Sequence, residues 1–240
     1  MNVFLNIETA TEICSVALSN GDHVIDYREN AEGKSHAALL TYFIDDILKK
    51  NNLKVKELSA VAVSMGPGSY TGLRIGVSAA KGLCYGNSVP LIAMPTLQIL
   101  ANQVIQSSAK LGISFADDDL LCPMIDARRL EVYTALSDIR ANFISDITAE
   151  IIDESSFDTA LKAHQVFFFG NGALKCKDIL KHANAHFIND IYPSARYMNQ
   201  LVASRFQEKK FEDVAYFEPF YLKDFVATIA KNKVLGAKTS

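Results

Sequence analysis

The chain has 240 residues, of which 49% are hydrophobic, and a formal net charge of −3 at pH 7. That length suffices for one large or two small domains with a buried core. A protein that grips RNA by itself usually carries a basic face, so this balance argues against a stand-alone RNA-binding module. No apolar stretch approaches the roughly 18 residues of a membrane span, and the start has no basic leader, so the sequence predicts a cytoplasmic protein without a membrane partner.

The N-terminal region contains three predicted strands and a helix. Residues 4–8 form an apolar strand that ends at Glu8, and residues 14–20 and 23–27 form two more. Apolar side chains at helical spacing, with charged side chains opposite them, predict a helix over residues 35–51.

A strand, a glycine-rich turn and a second helix follow. An apolar run at residues 60–64 predicts a buried strand, and residues 73–85 predict a helix. Between them, Ser69 and Thr71 are both candidate N-caps of that helix.

The turn itself carries Gly66, Gly68 and Gly72. A glycine turn at a helix N-terminus offers unpaired N–H groups to an anion such as phosphate. Three glycines alone, however, favour a tight strand-to-helix connection without a ligand. Their spacing matches neither a P-loop nor a dinucleotide-binding fingerprint.

The second half of the chain repeats the first. At a constant offset of 118 residues, Ile7 matches Ile125, Glu8 matches Asp126, and the triplet ALS recurs. A third strand of the second copy is predicted at residues 142–147.

A second glycine turn continues the repeat. Gly66 and Gly68 match Gly170 and Gly172 at an offset of 104 residues, and a helix is predicted at residues 175–181. Self-similarity over this length indicates a duplicated unit. We therefore predict an α/β protein with a duplicated ribonuclease-H-like fold of the actin, Hsp70 and sugar-kinase type, in which two lobes with mixed sheets and crossover helices face each other across a cleft.

Four motifs resemble those of the bacterial TsaB (YeaZ) family. They are IETAT at residues 7–11, GPGSYTGLRIG at residues 66–76, MIDARR at residues 124–129 with EVY following, and EPFYL at residues 218–222. The resemblance covers nearly the whole chain in the right order. It implies a part in making threonylcarbamoyladenosine, the modified base beside the anticodon of tRNAs that read codons starting with A.

The resemblance also implies partners and lobes. A TsaD-type catalytic subunit, or a second copy of the chain when it is alone, would pair with the two helices of a first lobe at residues 1–108. A helix at residues 194–210 would pack back on that lobe, and residues 109–240 would form a second, smaller lobe. A TsaE-type ATPase would join the complex, tRNA would be met only through it, and ATP with magnesium would serve the complex without any cofactor bound tightly by this chain.

The helix after the glycine turn is rich in small residues, which favours close packing against another helix. Composition alone leaves open whether that helix belongs to the same chain, and the resemblance favours a partner. Arg74 is a candidate to bind a phosphate or a carboxylate of the partner. The residues of the predicted partner surface are Leu39, Phe43, Leu73, Arg74, Gly76, Val77, Ala79, Ala80 and Leu83.

Glu8 and Asp126 are predicted to end facing strands across the cleft, where kinases of this fold hold metal and phosphate. The family usually carries Asp where this chain has Glu8, which weakens the case for ATP chemistry and favours a structural role. The candidate nucleotide or anion residues are Glu8, Gly66, Gly68, Ser69, Thr71, Gly72, Asp126, Gly170 and Gly172.

No catalytic or metal site is predicted. His182 and His186 with Asp190 have a chelating spacing, but the predicted helix and the strand expected at residues 186–189 would place the pair across a turn. The four cysteines are far apart and are predicted to be buried, reduced thiols. A mildly basic end at residues 223–240 is predicted to be solvated, with partner or RNA contact as the lesser alternative.

The sequence therefore predicts a non-catalytic subunit that holds a TsaD-type enzyme in a competent shape. The alternative is a small-molecule, ATP-dependent kinase of the same fold that uses Glu8, Asp126 and the two glycine turns.

Overall fold

A computed structural model describes residues 2–31 and 35–223 of the chain. Its strands are β1 (Val3–Glu8), β2 (Cys14–Asn20), β3 (His23–Asn30), β4 (Ala60–Gly66), β5 (Leu91–Pro95), β6 (Leu120–Asp126), β7 (Glu131–Thr134), β8 (Thr148–Ile151), β9 (Val166–Phe169) and β10 (Ala185–Ile188). Its α-helices are α1 (His36–Lys50), α2 (Tyr70–Asn87), α3 (Thr96–Leu111), α4 (Asp158–Ala163) and α5 (Asn199–Gln207). None of these helices is long and apolar enough to cross a membrane.

The strands form two five-stranded sheets with the same internal order. The first sheet runs β3-β2-β1-β4-β5, and the second, read in the equivalent direction, runs β8-β7-β6-β9-β10. In each sheet the first three strands are antiparallel neighbours, whereas the last two join the central strand in parallel. This shared topology confirms the predicted duplicated ribonuclease-H-like fold. We call the first sheet with α1 and α2 the first lobe, and the second sheet the second lobe.

The third strand of the second copy is not where the sequence predicted it. Residues 142–147 form a loop, and the strand is β8. The loop begins with a tight turn in which the Asp138 carboxylate accepts hydrogen bonds from the amides of Arg140 and Asn142, at 2.9 and 2.8 Å. Ala141 takes a left-handed φ of 61° there. Phe143 makes only an isolated antiparallel bridge with Ser137, and continuous pairing with β7 begins at Thr148.

The helix predicted at residues 175–181 is also not formed. Only a 3₁₀ turn, Leu174–Cys176, follows the second glycine turn. The Lys175 side chain is bonded to the Asp126 carboxylate and to the carbonyl oxygen of Glu131. The second lobe therefore lacks an equivalent of α2.

The first sheet is covered on both faces. The face against α1 and α2 buries Leu5, Ile7, Val61 and Val63. The opposite face packs on a 3₁₀ turn, Ala195–Met198, and α5, in the stretch 194–210 for which the sequence predicted one continuous helix.

α3 connects the lobes through a shared core. It starts directly after β5 and packs Leu97 and Leu100 with Leu121 and Phe169 of the second sheet. The predicted division between residues 108 and 109 falls within this helix, and it stays a prediction.

Residues 211–223, which we call the C-terminal strap, cross the first lobe toward the second. Glu212 donates its amide to the carbonyl oxygen of Leu91, and Phe220 donates its amide to that of Met65, at 2.9 and 2.7 Å. Lys223 then pairs with the Glu131 carboxylate. The predicted solvated end beyond Lys223, at residues 224–240, lies outside the described residues.

Candidate partner surface and interlobe cleft

The first glycine turn begins α2 with a side-chain cap. The Ser69 hydroxyl accepts a hydrogen bond from the Gly72 amide at 3.3 Å, as predicted. Thr71, the other candidate, lies inside the helix with an exposed side chain and does not cap it.

Backbone carbonyl groups of the β1–β2 loop fill this turn. The Ser69 amide donates to the carbonyl oxygen of Ala10 at 2.7 Å, and the Thr9 hydroxyl donates to that of Gly72 at 2.8 Å. A Cβ atom at Gly68 or Gly72 would collide with the carbonyl oxygen of Ala10 or Thr9. These two glycines are therefore explained by close packing, and the carbonyl oxygens offer nothing favourable to an anion. Anion binding at this turn stays a prediction.

Gly66 has a different neighbour. Its φ of 114° is one that side-chain-bearing residues rarely adopt, and a Cβ there would collide with the carbonyl oxygen of Phe220 in the strap. The absence of a side chain at Gly66 therefore lets the C-terminal strap pack against the turn.

Glu8 is wholly buried at the end of β1 and is not among the residues that line the cavity between the lobes. One carboxyl oxygen accepts the Ala10 amide at 2.5 Å, while the other has no hydrogen-bond partner among the described residues. Burial raises the pKa of Glu8 to about 7, opposed by the Ala10 and Thr9 amides and by the nearby Ser64 hydroxyl, which makes no well-formed hydrogen bond with the carboxyl. The side chain is therefore a buried acid that titrates near neutrality.

Asp126 lies in a different setting from its counterpart. It is exposed at the end of β6 and pairs with Lys175. Gly170 and Gly172 pack against the backbone of residues 124–126, where a Cβ would collide, so close packing again explains the glycines.

Glu12 of the first lobe reaches the cleft. It lines a cavity of about 370 Å³ together with Asp126, Asn171, Asp190 and Tyr192. The Asn171 amide donates to the Glu12 carboxylate at 3.2 Å and bridges the lobes. Sequence reasoning missed Glu12, although it is the only charged residue in the first hairpin turn at residues 9–13.

The histidine pair separates as the sequence predicted. His182 lies in a turn, where its Nδ1 accepts the Asn184 amide at 3.1 Å, whereas His186 lies in β10 and stacks on Phe167. Within residues 2–31 and 35–223, no group of three His, Cys, Asp or Glu side chains is arranged to hold a metal. All four cysteines are free and buried, and burial raises the pKa of each thiol.

The outer sides of α1 and α2 form an apolar groove of about 560 Å³. The residues that line it are Ala37, Leu40, Thr41, Tyr70, Thr71, Arg74, Ile75, Ser78 and Ala79. Arg74 donates a hydrogen bond to the Tyr70 hydroxyl at 2.6 Å, which orders one end of the groove.

The predicted partner residues divide by burial. Arg74 is exposed, and Leu39, Ala79 and Leu83 are half-buried at the surface. The other five are buried inside the first lobe and have no surface to offer a partner: Phe43, Leu73, Gly76, Val77 and Ala80. Gly76, for example, is so close to Thr9 that a Cβ would collide with its hydroxyl.

Two exposed tyrosines were missed. Tyr42 on α1 is 62% exposed and Tyr85 on α2 is 84% exposed. Gly82 and Gly86 lie on the same helix as Tyr85 with nothing within 4 Å of their Cβ positions. Helical periodicity places Tyr42 beside, not within, the apolar stripe of α1, which was the available signal.

The architecture defines a class of protein. The chain is a duplicated ribonuclease-H-like protein whose first-lobe glycine turn is filled by its own backbone and whose two outer helices leave an apolar groove open.

Comparisons with known proteins give the family. A family model described as TsaD, tRNA N6-adenosine threonylcarbamoyltransferase, matches residues 29–236. The tRNA threonylcarbamoyladenosine biosynthesis protein TsaB of Escherichia coli K12 is 30% identical over 232 residues, covering 93% of this chain and 95% of that protein. The TsaB of Haemophilus influenzae is 27% identical, covering 92% and 94%. The chain belongs to the TsaB family.

Solved structures agree with the fold. YeaZ from Pseudomonas aeruginosa has a TM-score of 0.78 at 22% identity, covering 92% of this chain and all of that one. A second Pseudomonas aeruginosa structure, described as an uncharacterized protein with similarity to peptidase YEAZ, has a TM-score of 0.81 at 22% identity, with 93% and 100% covered.

Proposed function

We propose that this chain is a non-catalytic subunit of the complex that adds threonylcarbamoyl to the adenosine beside the anticodon of tRNAs that read codons starting with A. Its task is to pair with a TsaD-type catalytic subunit and hold that subunit in an active shape. The open groove between α1 and α2 is the observation that carries this proposal, taken together with membership of the TsaB family.

The groove has the properties of an interaction surface. Its lining is mostly apolar, and exposed tyrosines flank it on both helices. Aromatic side chains are enriched where binding energy concentrates in interfaces. The open Cβ positions of Gly82 and Gly86 let another backbone approach α2 closely. A second copy of the chain is the alternative occupant when the catalytic subunit is missing.

The buried groups support a non-catalytic role. The kinase alternative uses Glu8 and Asp126 together, and Glu8 is wholly buried whereas Asp126 lines the cleft. At the first glycine turn the Ser69 amide is already bonded to the carbonyl oxygen of Ala10, and the carbonyl oxygen of Thr9 packs against Gly72, so the turn has little to offer a phosphate. We therefore place ATP and magnesium with the wider complex, in which a TsaE-type ATPase takes part, and assign no tightly bound cofactor to this chain. Contact with tRNA is then made through the assembled complex, in the cytoplasm.

A reconstitution tests the proposal. Unmodified tRNA, threonine, bicarbonate, ATP, the threonylcarbamoyl-AMP synthase, and the TsaD-type and TsaE-type subunits are incubated with and without this chain, and digested nucleosides are analysed by mass spectrometry. Modified adenosine that forms only with this chain is expected. Equal product without it would overturn the assignment, and micromolar binding and turnover of Mg-ATP by the chain alone would favour the small-molecule kinase.

Surface variants locate the pairing. Ser78 is exposed and lines the groove, so Ser78→Arg is expected to abolish both pairing and product. Ala109 is exposed on α3, so Ala109→Arg is a matched control that leaves both unchanged. Substitutions at Gly76 or Ala80 are unsuitable because both are buried in the lobe.

A further inference from the structure

The turn between β6 and β7 exposes two adjacent arginines in an unfavourable backbone conformation. Arg128 and Arg129 have φ angles of 77° and 53°, and both side chains are exposed. For residues with a Cβ the left-handed region costs energy, which is why glycine and asparagine usually occupy such turns. Arginine at both positions therefore costs backbone energy that Asn-Gly would avoid.

Backbone bonds hold the turn in this shape. The Arg128 amide donates to the Asp126 carboxylate at 2.9 Å. The Ala127 amide donates to the carbonyl oxygen of Glu131 at 3.0 Å, and the Glu131 amide returns a bond to that of Arg128 at 3.1 Å. The two guanidinium groups are thus carried on a closed, ordered turn.

The two carboxylates of the hairpin itself, Asp126 and Glu131, are already paired with other cations. Lys175 pairs with Asp126, and Lys223 of the C-terminal strap pairs with Glu131. In the part of the chain that the structure describes, neither Arg128 nor Arg129 has a side-chain hydrogen bond or an ion pair. Two unpaired guanidinium groups therefore stand on a hairpin whose own negative charges are occupied.

The equivalent hairpin of the first lobe is covered by a helix, whereas the arginine turn is not. Its turn, at residues 9–13, is packed under the start of α2, with Thr9 and Ala10 against the glycine turn. The second lobe has only the 3₁₀ turn Leu174–Cys176 in place of that helix. The arginine turn is consequently left open to solvent.

We propose that the Arg128–Arg129 turn is a phosphate-contact site for the tRNA of the complex, an inference that rests on the proposed function. Guanidinium groups bind phosphate oxygens through paired, charge-assisted hydrogen bonds. The lysine pairs remove the repulsion that a polyanion would meet at Asp126 and Glu131. Two cations at one turn add a contact to tRNA that does not depend on its sequence. Because the chain has a net charge of −3, this contact is too weak to bind RNA without the rest of the complex.

The test replaces the turn with one that suits the backbone. R128N/R129G removes both charges and relieves the left-handed conformation, so the melting temperature of the chain is expected to rise. The assembled complex is then titrated with unmodified, fluorescently labelled tRNA at several salt concentrations. Weaker binding, and a slope of log affinity against log salt reduced by roughly one to two, are expected.

Two matched variants accompany it. R128K/R129K keeps the charge and is expected to retain most of the salt dependence. Arg140→Asn removes another exposed arginine, from a different loop of the same lobe, and is expected to leave tRNA binding unchanged.

Each outcome is decisive. Unchanged affinity and salt slope in R128N/R129G would overturn the inference. Unchanged tRNA binding with weakened subunit pairing would assign the turn to an acidic protein surface instead. The reconstitution with and without the wild-type chain tests the proposed function separately. Equal product in both reactions would overturn that function.

Discussion

Lys81 on α2 donates a hydrogen bond from its ammonium group to the carbonyl oxygen of Phe217, 2.8 Å away. A second bond reaches the carbonyl oxygen of Ala215 at 3.2 Å. The C-terminal strap is therefore fastened to the helix that lines the proposed partner surface.

Replacing Lys81 tests this fastening. Lys81→Met removes both charge-assisted bonds and leaves two carbonyl groups without that donor, so the free energy of unfolding is expected to fall by roughly 1–2 kcal/mol. Amide hydrogen exchange is expected to accelerate at residues 213–220. Lys49→Met, which breaks an exposed pair with Asp45, is the control and should change little. Equal exchange in the two variants would contradict the role of Lys81.

Glu8 predicts an unusual dependence of stability on pH. Its pKa is raised from 4.5 to about 7 in the folded chain, so the folded state holds its proton at pH values where the unfolded state has lost it. The stability contribution is present below pH 4.5 and is lost as the pH rises to about 7, a change of about 3 kcal/mol.

Glu8→Gln removes that titration. The variant is expected to match the wild type near pH 5 and to be more stable near pH 8 by up to about 3 kcal/mol, since a buried amide carries no charge. Urea unfolding at both pH values measures the difference. Parallel profiles for the two proteins would show that Glu8 is ionised throughout or not buried.

Two glycines of α2 are expected to respond in opposite directions to alanine. At Gly72 a Cβ collides with the carbonyl oxygen of Thr9, so Gly72→Ala should destabilise the chain by roughly 1–3 kcal/mol. At Gly82 nothing lies within 4 Å, so Gly82→Ala should stabilise it by roughly 0.5–1 kcal/mol through helix propensity. Denaturant midpoints of the two variants on opposite sides of the wild type are the expected result.

Tyr85 is expected to contribute to partner binding without contributing to folding. Tyr85→Ser should lower the affinity for the TsaD-type subunit about tenfold, because an interface tyrosine commonly provides more than 1 kcal/mol. Its melting temperature should stay close to the wild-type value, since the side chain is 84% exposed. Ile144→Ser, in a second-lobe loop and 56% exposed, is the control for loss of an exposed apolar side chain. Equal affinities in calorimetry would exclude Tyr85 from the interface.

The duplicated topology was predictable from sequence because it depends on strand order and turn chemistry. β1 and β6, each ending at an acid, and a Gly-x-Gly turn after β4 and β9 recur in both lobes. The helix predicted at residues 175–181 was wrong: only the 3₁₀ turn Leu174–Cys176 forms there. The Lys175 side chain is bonded to Asp126 and Glu131, which are tertiary contacts that a local pattern does not contain.

Site positions were harder to predict for the same reason. Periodicity shows that Phe43, Val77 and Ala80 share faces with other apolar residues, but not that those faces point at the sheet. A strand that ends in an acid predicts a cleft position for Glu8. Its burial depends on the following loop, in which Thr9 and Ala10 pack against the start of α2, and the strand pattern does not contain that contact. The family resemblance supplied the partner surface as a region, and the structure is needed to say which side chains of that region are free.

α3 has a consequence for motion. Clefts that open and close need a hinge crossed by few packed side chains. Here Leu97 and Leu100 are embedded among second-lobe residues, and the Asn102 amide of the same helix donates to the carbonyl oxygen of Tyr197 at 2.7 Å. Separating the lobes would break the apolar contacts that α3 makes with the second sheet, so this helix restrains movement of one lobe relative to the other.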